Sequence, residues 1–117
     1  MNTTINLTYK DVPYTLEYDR MTVKALEENG LVIDEFIKKP MGNIELAFAG
    51  AFLKHHRKTS QTLINEIYEK CPNKRELVTT LVKMVQETYE SLFDEPEDDG
   101  GNATWEVVDL SPKTSRK

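Results

Sequence analysis

A chain of 117 residues has the length of one domain and can bury a core without disulfides or a structural metal. It is 38% hydrophobic and 30% charged with a net charge of −5, so non-specific binding to phosphate backbones, which needs clustered Lys and Arg, is a poor expectation. The single cysteine, Cys71, excludes an internal disulfide and a cysteine-based zinc site, and no apolar run approaches the roughly 20 residues of a membrane span.

The opening residues, MNTTINLTYK, lack a charged-then-apolar leader. The N-x-T triplets beginning at Asn2, Asn6 and Asn102 therefore read as chance matches, and a cytoplasmic location is expected. Ile5, Leu7 and Tyr9 alternate with Asn6 and Thr8, and Tyr14, Leu16 and Tyr18 alternate with Thr15, Glu17 and Asp19. Lys10-Asp11-Val12-Pro13 between them suits a turn, so the spacing predicts a β-hairpin with one apolar face. A lone hairpin is marginal in water, so that face is expected against helices, while the outer edges offer pairing to another copy.

Asp19 is placed to cap a helix over residues 20–29, with Val23 and Leu26 inward and Gly30 as the left-handed stop. Leu31-Val32-Ile33 reads as a buried connector or brief strand. Asp34 reads as the cap of a short helix over 35–39 that buries Phe36 and Ile37. From Pro40, tolerated in a first turn, a central helix is expected to run to about residue 58. Its middle, IELAFAGAFL, is apolar on nearly all sides. Ile44, Phe48, Ala51 and Phe52 share one face, and Leu46, Ala49, Gly50 and Leu53 another. Such a helix needs cover from several directions, as the centre of a core or with a strip kept for a partner.

Thr59-Ser60 breaks the pattern and caps a helix bearing Leu63, Ile64, Ile67 and Tyr68, which Cys71-Pro72 ends. Asn73 followed by Glu76 has the spacing of a capping box. Val78, Leu81, Val82, Val85, Tyr89 and Leu92 then form a stripe over residues 74–94, a helix roughly 30 Å long at 1.5 Å per residue. DEPEDDGGN is acidic, aperiodic and expected to be disordered. ATWEVVDL, with the only Trp, suits a docking segment that orders on a partner, or else a strand that folds back onto the chain's own hairpin. The expected architecture is α+β and mostly α. Residues 1–95 form an N-terminal hairpin packed on four to five helices, and residues 96–117 form a flexible acidic linker and docking segment. The side chains expected to meet a partner are Leu46, Phe48, Phe52, Leu53, Leu81, Val85, Tyr89, Trp105 and Val107.

No residue pattern points to chemistry. His55 and His56 are adjacent, about 100° apart on a helix, and have no third histidine to complete a metal site. No glycine-rich phosphate loop occurs, and no nucleophile stands in a recognisable setting, so no catalytic residue, metal or cofactor is expected. Lys54-His55-His56-Arg57-Lys58 is the one basic run. Cations in the last turn of a helix complement its dipole, which accounts for the run without a ligand. The alternative is a small regulatory or adaptor protein touching nucleic acid or an acidic partner through these residues.

TLEYDRMTVKALEENGLVIDEFIKKPM, followed by AFAGAFLKHHRK, resembles the tail assembly chaperones of long-tailed phages of Gram-positive bacteria. In that family a short hairpin, a capped first helix, a G-[LF]-V-[IL]-D-E connector and a Pro-started helix ending in FLKHH come in this order. The resemblance covers about residues 5–95 and implies a small non-catalytic protein of the bacterial host cytoplasm, absent from the mature virion. Such a protein binds the tape measure protein, keeps it soluble and helps recruit tail tube protein, with self-association into rings or filaments. The resemblance also implies a longer form made by programmed frameshift, with Pro112-Lys113 the place for a slippery codon run.

Overall fold

The computed structural model describes residues 3–96, 101 and 103–108. Strands β1 (Ile5–Tyr9) and β2 (Val12–Leu16) pair antiparallel through a two-residue turn, Lys10 and Asp11. Both turn residues have positive φ, 50° and 65°, the mirror-image geometry whose twist matches that of the strands. The turn is therefore tighter than the four-residue loop expected from sequence, and Pro13 lies inside β2. Register places Ile5 opposite Leu16 and Leu7 opposite Tyr14, which puts the apolar residues of both strands on one face.

Helix α1 (Arg20–Glu28) starts as its sequence requires: Asp19 accepts from the Thr22 N–H at 2.8 Å, and Thr22 Oγ1 accepts from the Asp19 N–H at 2.8 Å. Gly30 then turns the chain at φ 108°. Helix α2 (Ile33–Lys38) begins earlier than expected. Ile33 is helical and buried, Val32 holds the cap position without a side-chain bond, and Asp34 and Glu35 sit in the first turn, where the helix dipole favours acids.

The long central helix expected over 40–58 does not form. Pro40–Asn43 is a 3-10 turn, α3 spans only Ile44–Gly50, and residues 51–55 continue as turns. Two causes stand side by side. Gly50 weakens the helix at its own position, and the Ala51 carbonyl accepts the Glu17 N–H at 3.0 Å, which binds the end of α3 to the chain leaving β2. Helix α4 (Gln61–Lys70) is capped by Ser60 Oγ, 3.2 Å from the Leu63 N–H. Before α5 (Lys74–Glu90), Asn73 adopts a left-handed conformation at φ 55° and makes no side-chain bond to the backbone. Its amide instead donates to Glu76 Oε1 at 2.6 Å, so the expected capping box is replaced by a side-chain pair. The α-helix ends at Glu90, and Ser91–Phe93 is a 3-10 turn.

The protein is α+β and mostly helical, an N-terminal hairpin against five α-helices among the described residues. Helix α3 meets α1, α4 and α5, so the apolar IELAFAG helix lies in the middle of the core. Phe48 packs edge-on to Phe52 at 5.2 Å and to Tyr68 at 5.3 Å, and Tyr14 of β2 packs on Phe52 at 5.7 Å. The Tyr18 hydroxyl, wholly buried, donates to the Ala47 carbonyl of α3, and burial pushes its pKa well up. The expected linker residues 97–100 and 102, and residues 109–117, lie outside the described residues. Residues 103–108 carry no helix or strand and are exposed, so they do not extend the hairpin here.

Candidate docking surfaces

The C-terminal end of α5 builds one wall of a surface groove with an apolar floor. Along this helix Leu81, Met84, Val85 and Thr88 face inward, and Thr88 satisfies its hydroxyl on the Met84 carbonyl at 3.0 Å. The 3-10 turn that follows breaks the α periodicity and swings Leu92 and Phe93 outward, 56% and 68% exposed. Ser91 pins this turn. Its hydroxyl donates to the Thr88 carbonyl at 2.6 Å, while the Arg20 guanidinium donates to both its hydroxyl and its carbonyl. Tyr89 and Phe93 stack edge-on at 5.8 Å. Beside them runs a groove of about 270 Å³, walled by Val23, Lys24, Ile33, Thr88, Tyr89 and Leu92. Two helices and a pinned turn thus hold an apolar ledge open to solvent, a shape suited to one face of another helix.

The nine side chains expected to meet a partner fall into three groups. Phe48, Phe52, Leu81 and Val85 are at most 1% exposed, so they form the core and have no surface to offer. Phe48 lies on α3 between α1, α4 and α5, Phe52 in the turn that follows it, and Leu81 and Val85 on the inward side of α5, so all four are consumed internally. Leu46 and Leu53 are half-buried, and Leu53 shares a second groove of about 350 Å³ with Met21, Ala25 and Arg57. Tyr89, Trp105 and Val107 are exposed. Sequence reasoning missed Phe93 and Met21. Phe93 falls one residue past the helical stripe, and Met21 falls on the outward side of α1. Both carry a signal only as apolar residues out of phase with the periodicity.

The basic run does not cap a helix end, because α3 stops at Gly50 before it begins. It serves the hairpin instead. Glu17 Oε2 accepts from Lys54 Nζ at 3.0 Å, and Glu17 Oε1 lies 2.8 Å from His55 Nε2. His56 Nε2 accepts the Thr15 N–H at 2.9 Å, which places that ring's own proton on Nδ1. Three of the five residues are thus engaged by β2 and the residues just after it. The hydrogen bond from His55, then that from Lys54, holds the Glu17 carboxyl below the usual carboxylate range. A folded state that holds this proton less tightly than the unfolded chain gains stability above the ordinary pKa of 4.5 and loses it as pH falls through the folded value. We expect the urea midpoint of Glu17→Gln to fall less steeply than wild type between about pH 5 and pH 3. Parallel curves would show that Glu17 contributes nothing to that slope.

Cys71 is half-buried at the end of α4, and burial raises its thiol pKa, so it is a poor nucleophile. Lys74 Nζ donates to the Cys71 and Glu69 carbonyls, which closes the α4 end. Among the described residues no three His, Cys, Asp or Glu side chains gather as a metal site, and no helix is long and apolar enough to cross a membrane.

Fold and surface together define the class, a small, mostly helical α+β domain that leaves apolar ledges uncovered. The chain belongs to a family of unknown function, DUF5055, whose model matches residues 1–108. No curated protein and no solved structure matches it.

Proposed function

We propose that this chain is a tail assembly chaperone of a long-tailed phage. It binds the tape measure protein in the cytoplasm of the bacterial host, keeps it soluble, helps recruit tail tube protein, and is left out of the mature virion. It performs no chemistry. The observation that carries the reading is the solvent-facing ledge of Tyr89, Leu92 and Phe93 beside the groove between α1 and α5. A long helical client lays an apolar stripe into such a groove at i, i+3 or i+4, and i+7 spacing. Arg20, Lys24 and Glu27 rim the same groove, so charges of both signs are at hand for the polar flanks of a client helix. The net charge of −5 keeps the loaded complex dispersed. The motif order from TLEYDR to FLKHH points to the client's identity, and the ledge supplies the means of holding it.

The test is co-expression of the full chain with the tape measure protein of the same phage. Wild type is expected to hold the client in the soluble fraction. Leu92→Asp with Phe93→Asp alters only exposed side chains, so it should fold normally and lose at least about tenfold of the soluble client, the effect of removing central apolar anchors. Retention of the client by the folded double variant, or its precipitation with wild type, rejects the reading.

A further inference from the structure

The hairpin's two edges are treated differently. With Tyr9 and Val12 flanking a two-residue turn, the outward-pointing backbone positions are Asn6 and Thr8 on β1 and Pro13, Thr15 and Glu17 along β2 and its exit. On the β2 side every donor is accounted for. Pro13 has none, Thr15 donates to His56 Nε2 at 2.9 Å, and Glu17 donates to the Ala51 carbonyl at 3.0 Å. On the β1 side the N–H and C=O of Asn6 and Thr8 meet no partner among the described residues. This edge carries none of the usual protections: no proline, no bulge and no inward charge. A groove of about 280 Å³ runs along it, floored by Ile5 and Leu7 and walled by Ile67, Cys71, Pro72 and Leu77. An unpaired strand edge beside an apolar trench is the geometry of strand addition.

The same chain presents a matching strand. Residues 103–108, ATWEVV, are free of proline and glycine and rich in aromatic and β-branched residues. In extended form Trp105 and Val107 share one face, and they stand 85% and 79% exposed. Six extended residues span about 20 Å, enough to cover the five-residue edge. Open edge and exposed strand occur in one molecule without meeting. We propose that two copies exchange them: residues 103–108 of each add to the β1 edge of the other, with Trp105 and Val107 in the trench. Reciprocal exchange is isologous and uses every contact twice. The two tryptophans, at about 150–250 Å² each, supply part of the about 1,200 Å² that a specific interface needs. The surface differs from the Leu92–Phe93 ledge, so the proposal stands or falls separately from the chaperone reading.

Trp105 is the only tryptophan and reports directly. On dilution of the full chain through the micromolar range, its emission is expected to shift from blue to water-exposed as light scattering falls from dimer to monomer mass. Val107→Asp, which keeps the probe and alters an exposed residue, is expected to weaken association at least tenfold. So is Thr8→Pro, which removes an unpaired N–H and leaves the intrachain ladder whole. Far-UV circular dichroism verifies that Thr8→Pro is folded. Blue emission in a concentration-independent monomer means the segment docks on its own chain and overturns the exchange. Water-exposed emission at every concentration, or a dimer indifferent to Val107→Asp, overturns it as well.

Discussion

Phe48→Ala is expected to remove about 3–5 kcal/mol of stability, the range for truncating a buried phenylalanine. Phe48 is 1% exposed, at the middle of α3, and its ring meets those of Phe52 and Tyr68 edge-on. Truncation removes both aromatic contacts, each worth about 0.5–1.5 kcal/mol beyond area burial, and opens a void that cannot collapse easily. Helix α3 is held by α1, α4 and α5, so none of the walls can close alone. A domain of this size is stable by about 5–15 kcal/mol, so roughly a fifth or more of the total is at stake. Urea unfolding of the variant checks it. The exposed Phe93→Ala, measured beside it, loses only a solvent-facing contact with Tyr89 and should change stability by less than about 1.5 kcal/mol. A Phe48→Ala cost near that of Phe93→Ala would mean that α3 is not the centre of the core.

That contrast also marks how far the residues alone could be read. Alternation of Ile5, Leu7, Tyr14 and Leu16 revealed the hairpin, because a period of two has one structural meaning when a turn separates the runs. Asp19 and Ser60 announced their helices, since an N-cap acts locally and needs no knowledge of the rest of the chain. The length of α3 was not legible. Its end depends on the Ala51 carbonyl being taken by Glu17, a residue 34 positions away whose N–H is aimed by the β2 edge. The reading of Asn73 failed for a related reason: its left-handed backbone turns the side chain away from the N–H groups it was expected to cap. Burial of an all-round apolar helix was foreseen, but which side chains it spared was not. Phe48 and Phe52 went inside while Tyr89 stayed out, and only the packing of three helices on α3 decides that.

The basic run makes the same point about function. Lys54, His55 and His56 read from sequence as the cationic last turn of a helix, with contact to nucleic acid or an acidic partner as the alternative. In the fold they are spent on Glu17 and on the Thr15 amide, which seals one edge of the hairpin. A covered β2 edge and an open β1 edge give the hairpin a direction, so a third strand has only one side to join.

Gly50→Ala tests how closely α1 lies against α3. A Cβ at Gly50 would stand 2.4 Å from Leu26 Cδ2 and 2.8 Å from Leu26 Cγ, well inside contact distance. Leu26 is 2% exposed and has little room to withdraw. Overpacking of this kind costs about 1–3 kcal/mol, and the roughly 1 kcal/mol that alanine gains over glycine in a helix offsets only part of it. Gly50→Ala should therefore destabilise the chain despite being the better helix former. With Leu26→Ala in place the clash is gone, so adding Gly50→Ala should be neutral or stabilising by up to about 1 kcal/mol. The double-mutant cycle then shows a coupling of at least about 1 kcal/mol, whereas additive effects would mean that the two helices stand further apart. The displacement also falls one residue before Ala51, whose carbonyl holds the Glu17 N–H. Amide exchange at Glu17 and Thr15 should accelerate in Gly50→Ala ahead of global unfolding, because pushing α3 off α1 loosens the clasp that keeps the β2 edge shut.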